Sequence, residues 1–440
     1  MIESLLVANR GEIARRVIKT AKRLGVRTIA VYSEADAGLP FVAEADEALC
    51  IGAPQSYRNA DAILAAAKST GAQAIHPGYG FLSENADFAR AVEAHGLIWV
   101  GPPAAAIAAM GDKINARNLM AEAGVPVAPG THDPAATVEE AVEAATTIGY
   151  PVMVKAASGG GGMGMAVATD DSGLRTEYDK VRAFAERMFG DGSVLIERYF
   201  PRVRHVEVQI LGLADGRVVA LSERECSVQR RNQKLVEEAP SPAVDAALRE
   251  RFRAAAIKAG EAVGYRNAGT VECLLDPATG EFFFLEMNTR LQVEHPITEL
   301  IHGLDLVEEQ LRIASGLAPT FQEITTNGHA IELRINAEDP KRFLPGPGKV
   351  ATWVEPTGEG VRVDSGYAEG TTVTPFYDSL MAKLIVFGAD RPDAIAKARA
   401  AVAGFEIAGP KNNLPFFAEL LENEEFLSGD YDTGIISRMR

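Results

Sequence analysis

The chain has 440 residues, 47% of them hydrophobic, and a formal net charge of −16. This length exceeds the roughly 250–300 residues over which one hydrophobic core keeps growing, so two or three packed domains are expected. The negative charge argues against a nucleic-acid-binding protein, because phosphate contacts need a clustered excess of Lys and Arg.

The N-terminus and the cysteines bear on the cellular compartment. The chain begins Met1-Ile2-Glu3-Ser4, with an acid where a signal peptide has basic residues, and no later segment is apolar for about 18 residues. Three cysteines without a CxxC pair indicate neither a disulfide framework nor a structural zinc site. We therefore expect a cytoplasmic protein that does not associate with a membrane.

The first hundred residues alternate between strand and helix patterns. A short apolar run from Leu5 to Ala8 precedes a turn and an amphipathic pattern, and Thr28 to Tyr32 predicts the next strand. A second such cycle runs through residues 60 to 83. The pattern predicts an open parallel sheet flanked by helices over residues 1–112. No G-x-G-x-x-G follows the first strand, so a nicotinamide dinucleotide site is not expected.

The remainder of the chain divides into two further predicted units. Residues 125–134 are rich in Pro, Gly and small side chains, which is typical of a linker or hinge. Helices near 136–148 and 172–189 surround strands and a glycine-rich loop, which predicts a small unit over 113–202. From 203 to 440 the pattern changes to alternating strands and turns with two helices, which predicts a mixed α+β domain.

The glycine-rich loop, Ser158 to Met165, is the first candidate functional segment. Consecutive glycines let backbone N–H groups converge on an anion without obstruction by side chains. The loop is not a Walker A motif, because Met165 stands where a Lys-Ser/Thr pair should begin. A glycine run alone is equally typical of a flexible surface loop. Lys155, at the end of the preceding strand, favours phosphate binding.

Two strand-like runs, Thr270 to Leu275 and Phe282 to Asn288, predict a β-hairpin. Pairing across the centre of the connecting turn places Glu272 directly opposite Glu286, and Asn288 returns to the same face. Like charges opposite each other are destabilising unless a cation compensates them. Magnesium takes carboxylate and carbonyl oxygens, so the hairpin predicts a nucleotide-metal site. The alternative is a pair of solvated acids on a sheet surface.

Three further groups of charged residues have two interpretations each. Arg290 is suited to holding a small planar oxyanion and Glu294 to accepting its proton, but a simple salt bridge is the alternative. The segment Arg224 to Lys234 concentrates cations and amides, which indicates either a phosphate-lined cleft or a solvated basic face. His205 is either a ligand-binding residue or a satisfied core histidine.

Six segments of the chain, in order, resemble the biotin carboxylases, the biotin-carboxylating components of acetyl-CoA, propionyl-CoA and related carboxylases. The resemblance is collinear over essentially all 440 residues. The segments are Asn9 to Ala14, His76 to Asn85, the glycine-rich loop, Gln229 to Glu238, Glu286 to Glu299 and Arg334 to Asp339.

The resemblance implies a fold and a reaction. The fold is an α/β and α+β ATP-grasp fold, with an N-terminal Rossmann-like domain (1–112), a linker and mobile glycine-rich lid (113–202) and a mixed α+β C-terminal domain (203–440). In the reaction, ATP and bicarbonate form carboxyphosphate, whose decomposition delivers CO2 to N1′ of biotin. The implied cofactors are ATP and Mg2+ or Mn2+, with biotin as a substrate on a separate carrier.

The resemblance also assigns site residues. ATP would be held by Lys113, Lys155, Gly160, Gly161, Gly162, Gly164, Glu197, His205 and Gln229. The metal would be bound by Glu272, Glu286 and Asn288, and bicarbonate by Lys234, Arg290, Gln292 and Val293. Glu294 would be the base that deprotonates bicarbonate, and Arg334 would stabilise the biotin enolate. Arg16 and Asp378 match positions near the biotin pocket or the contact between protomers.

Two residues depart from the family pattern. Met163 stands where many relatives have Lys or Arg, which removes one phosphate contact. Asn232 replaces a histidine found in several relatives and resembles the propionyl-CoA carboxylase type. Neither departure removes a residue assigned to the proton transfer, and the final acyl acceptor stays open.

The chain has no Ala-Met-Lys-Met biotinylation sequence, and Met381-Ala382-Lys383 is a superficial echo of one. The expected partners are therefore a biotin carboxyl carrier and a carboxyltransferase on other chains, unless the chain is one domain of a longer polypeptide. Family members are commonly homodimers. The alternatives are another ATP-grasp ligase and a non-catalytic ATP-binding component of a carboxylase assembly.

Overall fold

The computed structural model describes residues 1–158 and 163–440. The N-terminal part of the chain forms a five-stranded parallel sheet flanked by helices. Its strands are β1 (Ser4–Val7), β2 (Arg27–Ser33), β3 (Glu47–Gly52), β4 (Ala74–His76) and β5 (Ile98–Trp99), and its helices are α1 (Gly11–Arg23), α2 (Pro40–Glu44), α3 (Ala60–Thr70), α4 (Ala86–Ala94) and α5 (Ala104–Gly111). The strands lie in the order β3-β2-β1-β4-β5. Both faces are buried, because Leu6 packs into one core and Leu5 into another.

A small unit built on a three-stranded antiparallel sheet follows. Its elements are α7 (Val138–Ile148), β6 (Val152–Ala156), β7 (Met165–Ala168), α8 (Asp171–Phe189) and β8 (Val194–Arg198), and β6 lies between β7 and β8. The preceding helix, α6 (Lys113–Glu122), packs instead into the core of the large sheet described next. The helices predicted near 136–148 and 172–189 correspond to α7 and α8. With 19 residues, α8 is the longest described helix, and no described helix is long and apolar enough to cross a membrane.

The largest element of the fold is an eight-stranded antiparallel sheet in the order β13-β12-β9-β10-β11-β14-β19-β17. Its strands are β9 (Arg204–Gly212), β10 (Val218–Arg230), β11 (Gln233–Ala239), β12 (Asn267–Asp276), β13 (Glu281–Asn288), β14 (His329–Asn336), β17 (Val361–Ser365) and β19 (Leu380–Gly388). Two-stranded ribbons pair β15 (Gly348–Lys349) with β18 (Thr372–Val373) and β16 (Thr352–Val354) with β20 (Glu406–Ala408). The helices are α9 (Ala246–Ala262), α10 (His295–His302), α11 (Leu306–Ala314), α12 (Arg391–Gly404), α13 (Leu414–Leu420), α14 (Glu424–Ser428) and α15 (Ile435–Arg438).

The proline- and glycine-rich segment 125–134 is hydrogen-bonded to both antiparallel sheets. The Pro126 carbonyl accepts a hydrogen bond from the Phe284 N–H of β13 at 2.7 Å. The Pro129 carbonyl accepts one from the Arg198 N–H of β8 at 2.8 Å. The predicted linker therefore ties the edge of the large sheet to the edge of the small one.

Candidate active site

Four charged side chains, here called the Lys234 cluster, meet between strands of the large sheet and the start of α10. The Lys234 ammonium on β11 donates to Glu207 on β9 at 2.5 Å, to Glu272 on β12 at 2.8 Å and to Glu294 at 2.7 Å. Burial lowers the pKa of Lys234, but the three carboxylates raise it well above its ordinary value. The lysine is therefore charged and shared by three acids.

Glu294 lies between two cations. One carboxylate oxygen accepts from Lys234, and the other accepts from Arg334 at 3.0 Å. Burial alone raises the pKa of Glu294, but Lys234 and Arg334 bring it below its usual range. Arg334 also donates to Glu237 at 2.6 Å, and burial raises the pKa of Glu237 to about 7. Glu294 is thus a buried, ionised carboxylate with both oxygens directed at cations.

Arg290, two residues beyond Asn288 of the hairpin, is paired with Glu84 rather than with Glu294. Its guanidinium donates to Glu84 at 2.8 Å and to the Asn288 amide oxygen at 2.5 Å. Among the described residues no salt bridge joins Arg290 to Glu294, so the simple ion pair considered from the sequence is not formed. Sequence reasoning missed Glu84, although it lies inside a family-like segment, because nothing local links it to Arg290.

The acids on the hairpin have the predicted register. Glu272 pairs with Glu286, and Thr270 pairs with Asn288. Glu272 is 5% exposed, so it is not a solvated surface acid. Glu286 is exposed, yet desolvation by its neighbours and the charge of Glu272 raise its pKa. This oxygen-rich pair of like charges fits Mg2+, because a divalent cation would relieve their repulsion.

The hairpin contains a β-bulge beyond these pairs. Glu272 faces Glu286, but the next residue, Cys273, faces Phe284, so Leu285 is the extra residue on β13. Phe284 is buried in the core that also contains Cys273. The functional end of the hairpin and its tip therefore follow different registers.

Residues assigned to ATP lie on the small unit, at the start of α6, and on β9 and β10 of the large sheet. Lys155 on β6 donates to Glu197 on β8 at 2.6 Å. Burial lowers the pKa of Lys113, and the charges of Glu286 and Glu197 oppose that shift while Lys155 adds to it. Lys113, at the start of α6, is therefore within electrostatic range of both sheets.

The other residues assigned to ATP have separate settings. The Gln229 amide lies 3.4 Å from His205 Nδ1, and His205 Nε2 lies 3.0 Å from Glu272. The histidine thus lies beside Glu272, one of the acids assigned to the metal from the sequence. Gly164 has φ +69°, and a Cβ there would lie 3.0 Å from the Ala156 Cβ, so glycine suits this end of the loop. Gly160, Gly161 and Gly162 lie outside the described residues.

Gln292 and Val293 contact the site through different groups. The Gln292 amide donates to Glu272 at 2.8 Å. The Val293 carbonyl accepts from Lys383 at 2.9 Å. Arg16 and Asp378 lie elsewhere: Arg16 pairs with Glu299 at 2.5 Å, and exposed Asp378 accepts from the Leu380 N–H at 2.9 Å.

Arg224 is a further site residue, which the sequence suggested only as part of a basic segment. Its side chain is completely buried, so a solvated basic face is excluded for this residue. The guanidinium donates to Glu207, Gln209, Thr270, Gln292 and Thr298. Arg224 therefore holds Glu207 of the Lys234 cluster and the adjacent Gln292 in place.

Asn232 has a local structural explanation. Arg231 and Asn232 form the two-residue turn between β10 and β11, with φ of +50° and +64°. A turn of this kind requires positive φ at both positions, and Asn adopts it more readily than most residues. The turn that precedes β11 and Lys234 therefore accounts for the asparagine at position 232.

Comparisons with known proteins identify the family of the chain. Sequence models of three families match the chain: Biotin carboxylase, N-terminal domain, over residues 1–107; Carbamoyl-phosphate synthase L chain, ATP binding domain, over 112–320; and Biotin carboxylase C-terminal domain, over 332–438. Biotin carboxylase 1 of Bacillus subtilis (strain 168) is 48% identical over 439 residues, covering 98% of each chain.

Two further relatives extend the comparison. A component of the pyruvate carboxylase of Methanothermobacter thermautotrophicus is 49% identical over 446 residues, which is 100% of this chain and 90% of that one. The biotin carboxylase domain dimer of Hydrogenobacter thermophilus 2-oxoglutarate carboxylase, solved with MgADP, ADP and bicarbonate, has a TM-score of 0.95 at 43% identity. That similarity covers 100% of this chain and 98% of the other.

Proposed function

Because this chain belongs to the biotin carboxylase family, it is an ATP-dependent ligase that carboxylates biotin with bicarbonate, and we propose that its reaction centre is the Lys234 cluster. The observation that carries this assignment is the convergence of Lys234 on Glu207, Glu272 and Glu294 within 2.8 Å. Arg224 and Arg334 also pair with Glu207 and Glu294, whereas Glu286, opposite Glu272, has no salt bridge among the described residues, so the hairpin acids are left short of positive charge. Such a site suits a nucleotide that arrives with a cation.

In the proposed first step, Glu294 takes the O–H proton of bicarbonate. Lys234 and Arg290 hold the anion, with Gln292 and Val293 beside it. The deprotonated oxygen then attacks the γ-phosphorus of ATP, which forms carboxyphosphate and releases ADP. Glu294 is suited to this step because its neighbouring cations keep it ionised. As Lys234 turns from Glu294 toward bicarbonate, the pKa of the Glu294 carboxylate rises, which makes it a stronger base.

We assign the metal to Glu272, Glu286 and Asn288. When bound, Mg2+ or Mn2+ neutralises the charge that develops on the phosphates. Side chains of the protein itself orient Glu272, since both Lys234 and Gln292 donate to the same carboxylate oxygen at 2.8 Å.

Nucleotide and biotin would occupy opposite sides of the cluster. We assign ATP to Lys113, Lys155, Glu197, His205, Gln229 and the loop glycines, which closure of the lid would bring over the phosphates. Carboxyphosphate would break down to CO2 and phosphate, the phosphate would take the N1′ proton of biotin, and Arg334 would stabilise the resulting enolate while N1′ takes up the CO2. Arg334 is already oriented for this role, because Glu237 and Glu294 hold its guanidinium on two sides.

The domain division 1–112, 113–202 and 203–440 is likewise a proposal, as are the partners. We propose a homodimer that carboxylates biotin on a separate carrier. The carboxylated biotin would then pass to a carboxyltransferase on another chain. Support comes from the relatives, one of which is a component of a pyruvate carboxylase, while another is a solved biotin carboxylase domain dimer. Affinity purification of the native protein, followed by identification of its biotinylated partner, would identify the carrier.

The test of the reaction is ADP release from ATP and bicarbonate, measured with and without free biotin. We expect biotin to stimulate ADP release in a bicarbonate-dependent manner. No stimulation at any biotin concentration would contradict the proposed reaction centre.

A further inference from the structure

Lys383 is a buried lysine that none of the assigned roles uses. It lies on β19 within Met381-Ala382-Lys383, the run that superficially resembles a biotinylation sequence. Its side chain is 0% exposed. A lysine that accepts biotin must be accessible to a modifying enzyme, so burial excludes that role and raises the question of what holds an ammonium in the interior.

Three groups from separate parts of the chain surround the Lys383 ammonium. It donates to the Val293 carbonyl at 2.9 Å, and it lies 3.2 Å from Glu12 on α1 and 3.9 Å from Asp364 on β17. Glu12 accepts a hydrogen bond from the Tyr79 hydroxyl, and Asp364 is held by Arg362 at 2.6 Å. A buried charge persists only when it is paired in this way. Lys383 thus links the N-terminal sheet region to the large sheet.

The carbonyl that Lys383 holds is the one directly before Glu294. Because a peptide unit is planar, fixing the Val293 oxygen also fixes the Glu294 N–H and Cα. The preceding carbonyl, of Gln292, lies 2.7 Å from the His295 ring Nδ1. Glu294 itself is the N-cap of α10, yet its side chain makes no capping hydrogen bond. The backbone is therefore fixed by neighbours while the carboxylate stays directed at Lys234 and Arg334.

We propose that Lys383, held by Glu12 and Asp364, is a positioning residue that fixes the Val293–Glu294 peptide and thereby places the Glu294 carboxylate against bicarbonate. The inference rests on the proposed role of Glu294 as the base. Lys383 touches neither bicarbonate nor the reacting atoms, and it acts only through the main chain of the turn.

The proposal predicts a selective defect. Displacement of a reacting group by about 1 Å costs on the order of 100-fold in rate. Lys383 makes no ion pair or hydrogen bond with Lys113, Lys155 or Glu197 in the part of the chain that the structure describes. Loss of its ammonium should therefore impair the use of bicarbonate and leave nucleotide affinity unchanged.

The main experiment compares Lys383→Met with Lys397→Met in the full-length protein. Lys397 is a matched control, because it also donates to a backbone carbonyl, that of Phe387 at 3.1 Å, and also pairs with a carboxylate, Asp393 at 3.0 Å, but it lies on α12 away from the turn. The readouts are kcat/KM for bicarbonate in biotin-dependent ADP release and the Kd for MgADP. We expect kcat/KM to fall about 100-fold in Lys383→Met alone, with an unchanged Kd.

Two results would overturn the positioning role. One is an unaltered kcat/KM for bicarbonate in Lys383→Met, and the other is an equal loss of bicarbonate use and MgADP affinity, which would indicate general damage. If Lys383→Met does not fold, Glu12→Gln provides the test of the positioning role. This variant removes the carboxylate charge beside the Lys383 ammonium but keeps the lysine. A smaller but still bicarbonate-selective loss supports the proposal, and unchanged bicarbonate kinetics overturn it.

Glu294→Gln, measured in parallel, separates this inference from the proposed function. Full bicarbonate-dependent turnover in Glu294→Gln would remove the base assignment itself. Loss in Glu294→Gln with no loss in Lys383→Met would overturn only the positioning role.

Discussion

Two buried groups of charged side chains differ in how their charges are matched. In the Lys234 cluster, Glu207 and Glu294 each have an arginine partner besides Lys234, but Glu272 has none among the described residues, and Glu286 opposite it forms no described salt bridge. In a second group, here called the Arg16 cluster, each carboxylate pairs with two arginines: Glu299 with Arg16 and Arg362, and Asp305 with Arg16 and Arg23. The Arg16 cluster joins α1 to α10 and to the start of α11, and its carboxylates are paired within the fold.

The difference separates a structural role from a chemical one. A balanced group of buried ions is satisfied within the fold, and removing one member leaves the other charges unpaired. A carboxylate without a salt bridge in the described structure, such as Glu286 opposite Glu272, can accept a further cation, which is what a metal–nucleotide substrate supplies. Substitutions in the Arg16 cluster should therefore affect stability first, and those in the Lys234 cluster should affect catalysis first.

Glu294→Gln should have the largest effect. Loss of the base is expected to lower bicarbonate-dependent turnover by about 10²- to 10⁴-fold, because a general base contributes on that order. MgADP binding should be retained, since the amide keeps the shape of the side chain. Steady-state ADP release at saturating biotin, together with an MgADP titration, checks both parts. Undiminished turnover would end the assignment of Glu294.

Arg16→Met should have the largest effect on folding. Removing the guanidinium leaves Glu299 and Asp305 underpaired, and such a loss typically costs about 3–5 kcal/mol in the free energy of unfolding. Arg23→Met is the matched control: Arg23 also pairs with Asp305, at 2.8 Å, but is 52% exposed, and exposed pairs contribute about 0–1 kcal/mol. Urea unfolding measures both. Equal destabilisation of the two variants would contradict the proposed structural role.

Glu272→Gln should shift the metal requirement. Because the amide brings no negative charge to the metal, the Mg2+ concentration for half-maximal activity is expected to rise on the order of tenfold to 100-fold, the range found even for outer partners of metal sites. Glu281→Gln, at the exposed tip of the same hairpin, serves as the control. A superimposable magnesium titration for Glu272→Gln would count against the shared metal site.

Glu84→Gln should have the smallest effect. Glu84 is 43% exposed, so its pair with Arg290 is expected to be worth at most about 1 kcal/mol, or roughly a fivefold increase in the KM for bicarbonate. The kcat should hardly change, because Asn288 still accepts from Arg290. Asp87→Asn, which removes an exposed partner of Arg90 nearby, should alter neither constant.

The sequence predicted parts of this site that depend on local periodicity. The pairing of Glu272 with Glu286 followed from the turn, because the two-residue repeat of a strand fixes which side chains meet. The contact of Lys234 with Glu294 did not follow, since 60 positions separate them. Arg224 was ambiguous because charged residues on a buried strand look like those on a solvated one until the neighbouring strands are known.

The bulge at Leu285 changes which face of β13 each side chain points to, so the strand has one alternation before the bulge and another after it. In the alternation before the bulge, Phe282 and Phe284 enter the core, and uninterrupted alternation would send Glu286 in after them. The extra residue shifts the alternation, so that Met287 becomes the next core residue and Glu286 is released opposite Glu272. The first half of β13 therefore packs into the core, and its second half directs Glu286 to the face of Glu272. Deleting Leu285 would remove the bulge and leave Glu286 directly after Phe284, so the acid would stay opposite Glu272. Pairing every residue of β13 without a bulge would instead turn Glu286 into the core.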